Sequence, residues 1–198
     1  MPETKLEIYY PFKPFITTQR WGNPNPTYAN QFNNPAFKLH NGVDANTGRL
    51  DWQGKVKTDY LVYCPVRDFV VDYVGNQPNG GGKEVGFRSK TPLKMFDKEC
   101  YAWLIMCHAK KILVPAGYEP KLGELIMIAD NTGFSTGLHT HIGLYRLDAH
   151  GNKVDQNEAV GSFDPTLFFT NKYAVDEATT NTLIISVLRY LAYLTGAV

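Results

Sequence analysis

The sequence predicts a mainly β fold, with strands pairing chiefly antiparallel and a single helix at the C-terminal end. Three observations carry this. Aromatic residues reach 13%, with twelve Tyr and eleven Phe in 198 residues, types that suit a pleated, half-buried surface. Short β-branched, aromatic and aliphatic runs recur between Gly- and Pro-marked turns. A helical period emerges only in the tail, from Asp176 onward. The length fits one domain with an appendage and can bury a full-sized core without disulfide staples.

The elements follow in order. Residues 1–38, rich in Pro, Asn and aromatics, read as short strands and surface loops, and Trp21-Gly22-Asn23-Pro24-Asn25-Pro26 is turn chemistry. Residues 60–74 (YLVYCPVRDFVVDYV) read as strand, turn, strand. NQPNGGGK (76–83) must be a loop, with EVGFRS (84–89) as the returning strand. The nearly continuous apolar run CYAWLIMCHA (100–109) is expected to be a buried strand. KILVPAG and GELIMIAD read as two further short strands, and THIGLYRLD (140–148) as another. In the tail, Asp176 is the expected N-cap. Leu183, Val187, Tyr190, Leu191 and Leu194 fall on one helical face, expected to pack on the domain or on a partner, with Ser186, Arg189 and Tyr193 on the other. From Leu183 to Leu194 is twelve residues with Arg189 between, short of the roughly 20 that a membrane span needs.

Composition excludes several classes. Twenty Lys+Arg against nineteen Asp+Glu leave a net charge of +1, without the basic excess of an electrostatic nucleic-acid binder or a polybasic membrane binder. Cys64, Cys100 and Cys107 form no CxxC pair and read as reduced, mostly buried thiols. The first residues show no charged stretch followed by a long apolar run, so no secretory signal is expected.

The five His carry the chemistry. Four fall in three short segments: His40-Asn41-Gly42-Val43-Asp44, Cys107-His108-Ala109 and His139-Thr140-His141, while His150 sits in a polar turn as an expected bystander. In a strand, residues two apart point to one side, so His139 and His141 can face one cleft. A His and an Asp four apart, with Gly between, can converge from a turn. Imidazole and carboxylate are zinc donors, and two His with one Asp leave one tetrahedral position open, as catalytic zinc requires. Cys107 beside His108 suggests a thiol nucleophile, but neighbours in a strand are expected to point to opposite faces.

The order HxxxD, a His ending an apolar strand, then Gly133-Phe134-Ser135-Thr136-Gly137-Leu138-His139-Thr140-His141 resembles the M23 (lysostaphin/LytM-like) metallopeptidases. Further likeness lies in Ile16–Gly22, in Cys64–Val71, in the two glycine-marked turns from Val114 to Ile126, and in the Asp164-Pro165 turn. The resemblance covers roughly residues 15–170. It implies a domain at 15–170 between an N-terminal extension (1–14) and a helical tail (171–198). It also implies a compact antiparallel β-sheet core with a groove walled by long loops.

The resemblance further implies zinc as cofactor. It puts His40, Asp44 and His141 at the ligand positions and His108 and His139 at two non-ligand catalytic positions. The implied reaction is hydrolysis of peptidoglycan stem or cross-bridge peptides by metal-activated water. Leu138 stands where the family usually has Pro. Tyr28 is the nearest upstream candidate for an oxyanion-binding Tyr, and Trp52, in the long loop from Ala45 to Tyr63, is a candidate for the groove wall. A phage- or prophage-type hydrolase is expected, virion-associated or holin-released and acting at the bacterial wall. An assembly partner is expected on the C-terminal helix. The alternative is a catalytically weak or inactive scaffold or wall-binding component of a phage particle.

Overall fold

The structure, a computed structural model, describes residues 5–24, 38–48, 59–155 and 159–197. Among them are twelve strands: β1 (Ile8–Tyr10), β2 (Ile16–Gln19), β3 (Val43–Asn46), β4 (Leu61–Tyr63), β5 (Phe69–Gln77), β6 (Gly82–Ser89), β7 (Leu93–Met95), β8 (Lys98–Ile112), β9 (Leu125–Ala129), β10 (Thr140–Leu147), β11 (Ser162–Phe163) and β12 (Phe169–Tyr173). One α-helix follows, α1 (Thr180–Leu194). The mainly β reading, with antiparallel pairing and a C-terminal helix, matches this architecture.

The main sheet runs β2-β3-β10-β8-β6-β5, with β4, β7, β9 and β11 joined to its flanks, and its pairings are antiparallel. Strand period sets what each face carries. On β10, Ile142 and Leu144 enter the core while His141, Gly143 and Tyr145 share the other side. On β8, Ala102, Leu104 and Met106 enter the core and Trp103, Ile105 and Cys107 take the groove side. Val43, Val71, Phe87, Met106 and Ile142 are fully buried in that core. Burying each large apolar side chain contributes about 1.5–3 kcal/mol. The core is continuous under the groove floor, which makes the floor a firm base for a site. β1 pairs with β12 in a separate parallel pair, and Ile8 and Phe12 pack into the main core.

Three local expectations are corrected. KILVPAG is not a separate strand: Lys111 and Ile112 end β8, and the chain then turns around Gly117 in the left-handed region (φ 82°). The helix N-cap is Thr179, whose side chain accepts from the Thr182 amide, while Asp176 lies in a 3₁₀ turn before it. Gly196 ends the helix, at φ 71°, with Ala197 N donating to Ala192 O at 2.8 Å, the αL closure that glycine allows without a Cβ penalty.

The third correction is the face on which α1 docks. Thr182 and Ser186 are buried, whereas Leu183, Val187, Leu188, Leu191 and Leu194 are exposed. The reason lies in β9. Its first amide, Leu125 N, donates to Ser186 Oγ at 2.8 Å. Glu124, fully buried beside it, takes a hydrogen bond from Arg189 Nη1 and another from Tyr118 Oη at 2.7 Å. A buried carboxylate needs a partner more strongly than a row of leucines needs cover. Arg189→Ala is expected to leave the buried Glu124 carboxylate without its cationic partner and lower stability by about 3 kcal/mol, read as a reduced denaturation midpoint with early amide exchange along α1.

Candidate metal centre and its groove

The turn Trp21-Gly22-Asn23 grips the first histidine. Gly22 N donates to His40 O (2.9 Å), His40 N to Asn23 O (2.8 Å), and the His40 ring sets Nδ1 3.0 Å from Arg20 O. A carbonyl only accepts, so Nδ1 carries the proton and Nε2 keeps a lone pair. Asp44 sits on β3 directly opposite His141 on β10, a register that puts cross-strand side chains about 4.5–5.5 Å apart at Cβ. The backbone pairing therefore brings the two donors together.

Their atoms converge. His40 Nε2 lies 3.1 Å from Asp44 Oδ1 and 3.1 Å from His141 Nδ1, and His141 Nδ1 lies 2.9 Å from Asp44 Oδ1. All three residues are buried, and they form a group able to hold a metal ion. Tetrahedral zinc with bonds of about 2.0–2.1 Å spaces its ligand atoms roughly 3.3 Å apart, so the donor set fits such an ion. The lone pair of His40 Nε2, aimed at a carboxylate oxygen, is what a cation at this point would satisfy. Burial alone would raise the Asp44 carboxyl, but the neighbouring rings of His141, hydrogen-bonded to it, and of His40 overturn that and hold it well below the usual carboxylate range.

The two remaining histidines stand beside this centre. His108 Nδ1 lies 2.8 Å from Thr132 O, and His139 Nδ1 lies 2.8 Å from Gly137 O. Each ring therefore spends its proton on a backbone carbonyl and turns Nε2 inward. The rings are 4.6 Å apart between centroids. His139 Nε2 stands 3.4 Å from Asp44 Oδ2 without hydrogen-bond geometry, and is buried with no partner. Burial, then the nearby His139 and His141, push His108 down to about 4, so it is neutral at pH 7. His150 is exposed in its turn.

One expectation about this strand is overturned. Between the pairs Val85↔Met106 and Lys83↔Ala109, β8 holds one residue more than β6. The extra residue makes a bulge, with His108 at φ 65°. A bulge re-aims a side chain, so Cys107 and His108 line the same cavity rather than opposite faces. The thiol gains no reactivity from this, because burial and then Glu84 push it well above its ordinary value. All three cysteines are free and buried.

Gly42, between the first two donors, has a steric role. A Cβ there would lie 2.5 Å from Ile142 O and 2.6 Å from His141 Cε1. Gly42→Ala is expected to displace the His141 ring, reduce zinc retention on dialysis and lower the melting temperature. Metal analysis beside a thermal melt checks both.

Acid should expose the histidine burial. His108 is depressed from 6.5 to about 4, so between those values the unfolded chain binds a proton that the folded chain refuses. Stability of the metal-free protein should therefore fall as pH drops from 6.5 toward 4, by up to about 3 kcal/mol from this group. His141, also lowered by burial, adds to the slope. Asp44, lowered in the folded state, costs stability only further down, below its unfolded value of 3.8. Urea titrations of the chelated protein and of His108→Gln should show the variant with the shallower slope.

Tyr28 and Trp52 lie outside the described residues. Asn41, Glu84, Trp103, Tyr145 and Lys153 line a cavity of about 370 Å³ together with His108 and His141, and the sequence reading missed them. Asn41 Nδ2 donates to Tyr145 Oη at 3.0 Å. Tyr145 was findable: it stands four after His141 in one strand, on the same face.

No family model and no curated protein matches the chain. Solved structures do. A zinc-containing peptidase from Vibrio cholerae matches with TM-score 0.54 and 22% identity, over 82% of this chain and 41% of that one. This chain thus spans less than half of that peptidase. The catalytic domain of lysostaphin from Staphylococcus simulans matches with TM-score 0.53 and 19% identity, over 78% of this chain and 91% of that domain. The SpoIIQ–SpoIIIAH pore-forming complex contains a match with TM-score 0.51 and 14% identity, over 89% of this chain and all of that one. The architecture is the lysostaphin-like (M23) peptidase fold. The histidine and aspartate cluster sits on its groove.

Proposed function

We propose that the protein is a zinc-dependent endopeptidase that hydrolyses the peptides of bacterial peptidoglycan. The observation that carries this is the convergence of His40, Asp44 and His141 on one point, with the unprotonated Nε2 of His108 and His139 beside it. Such a set fits zinc with a position to spare. Zinc held by these three residues supplies a Lewis acid that polarises a carbonyl and lowers the pKa of water to about 7.

The chain's own groups handle the protons. Thr132 O and Gly137 O fix the tautomers of His108 and His139, so each presents a lone pair toward the centre. Either Nε2 can take a proton from the attacking water and then, as N–H, return that same proton to the leaving amine. Buried walls around the cluster exclude bulk water and strengthen each of these contacts. The substrate class rests on the lysostaphin-like fold together with this chemistry.

Metal analysis and mass spectrometry of muropeptides released from purified peptidoglycan test the proposal. The expected result is about one zinc per chain and new peptide ends made by the wild type and not by His139→Ala. Identical products from both proteins reject it. A second reading, a scaffold that keeps the fold without turnover, is favoured by the likeness to a chain of a pore-forming complex. Zinc binding without any new peptide ends would support that reading.

The proposal extends to delivery at the wall by a phage-type assembly. What supports it is the outward apolar row of α1, a surface of the kind a partner covers. No helix among the described residues is long and apolar enough to cross a membrane.

A further inference from the structure

We propose that Glu84 is a subsite for a primary ammonium group on the substrate, an inference that rests on the peptidase reading and deepens it. Glu84 lies on β6 where that strand crosses the groove floor. Its side chain lines the cavity that His108 and His141 also line, yet the residue is only 3% exposed. One carboxylate oxygen is provided for: Cys107 Sγ donates to Oε1 at 3.9 Å, and Tyr73 and the Gly81 amide also hydrogen-bond the group. The other, Oε2, is buried with no partner. A buried acceptor left unpaired costs stability, so a fold that keeps one beside a catalytic centre is holding it for a ligand's donor.

The surroundings narrow the ligand. A Cβ at Gly81 would land on the Glu84 carboxylate and 2.8 Å from Cys107 Sγ, so the loop makes room for the acid by forgoing a side chain. Burial favours the uncharged carboxyl, and a cation in contact restores the charged pair. The aromatic wall across the cavity, the other natural seat for a cation, is already covered: Lys153 Nζ lies 3.6 Å from the centroid of Tyr145. An incoming cation is therefore left with Glu84. A metal ion is disfavoured there, since the metal-binding group found among the described residues is His40, Asp44 and His141. An ammonium group offers three donors and suits the single free oxygen. Because His108 and His141 share the cavity, the amine belongs to a residue close to the scissile bond. In a peptide it comes either from the side chain of a diamino acid or from a free N-terminus.

The test uses the zinc-loaded protein and two pairs of synthetic peptides. One pair differs only in acetylation of a diamino-acid side chain, the other only in acetylation of the N-terminus. The wild type should prefer the free amine in one pair by roughly ten- to hundredfold in kcat/KM, the factor expected for a hydrogen bond to a charged group, with most of it in KM. The pair that shows the preference identifies the source of the amine. Glu84→Gln should bring the ratio to within about twofold of one. The ratio is internal to each preparation, so partial unfolding of the variant cancels. Equal cleavage of free and acetylated peptides by the wild type, or an unchanged ratio in the variant, overturns the inference. Cleavage of no peptide would sink the peptidase reading alone. Titration of the intrinsic tryptophan fluorescence, to which Trp103 in the cavity wall contributes, with Nα-acetyl-lysine amide and with a free N-terminal peptide amide then decides: saturation in the wild type that Glu84→Gln loses supports the subsite, and no saturation in the wild type refutes it.

Discussion

Asp44→Ala is expected to lose both the metal and the reaction. Asp44 brings the only anionic oxygen of the three donors, and it is buried opposite His141, whose Nδ1 lies 2.9 Å away. Without it, two neutral imidazoles remain, one of them missing the partner that orients its ring. Bound zinc should fall from about one equivalent to a small fraction after dialysis. The residues left would hold no ion to activate water, and hydrolysis should drop to the uncatalysed background. A readout independent of turnover is the melting temperature: added zinc should raise it in the wild type, as any ligand specific to the folded state does, and leave the variant unmoved. Full metal content with undiminished turnover in Asp44→Ala would remove this residue from the ligand set.

His139→Ala should separate chemistry from metal binding. The ring is tied to Gly137 O at 2.8 Å and contributes none of the three converging donor atoms. Zinc content should therefore stay at the wild-type level. Turnover should fall by about 10²- to 10⁴-fold, the usual cost of removing a positioned acid–base group, with kcat carrying the loss. If zinc is lost along with activity, His139 is a ligand and the division of roles is wrong. If turnover survives, the unpartnered Nε2 has no part in the reaction.

The readability of this site followed the locality of its parts. His40 and Asp44 lie four residues apart, and His139 and His141 two apart, so spacing alone suggests convergence. The apolar run around residues 100–109 announces a buried strand because nothing in it favours solvent. His108 is different. Its direction depends on a bulge that exists only because β8 is paired with β6 at a particular register, and no pattern within β8 signals the extra residue. Glu84, Asn41 and Tyr145 belong to three separate strands or loops and join one cavity only through the order β3-β10-β8-β6. The side of the tail helix that meets the domain was hidden for a related reason. Its apolar row is real, but the buried Glu124 on the neighbouring chain segment claims Arg189 and turns that row outward.

By itself the sequence determined what is local: the strand-rich composition, the turn residues, the helical tail, and the types and order of the metal-seeking side chains. Those depend on side-chain chemistry and short-range periodicity, which every residue carries wherever it is placed. The tertiary structure alone decided which faces meet. It set Asp44 opposite His141, turned His108 into the groove, left Glu84 with one bare oxygen beside the centre, and docked the helix on its polar side. These outcomes come from pairing between residues up to a hundred positions apart. There the need to satisfy buried backbone and charged groups outweighs any single segment's own preference.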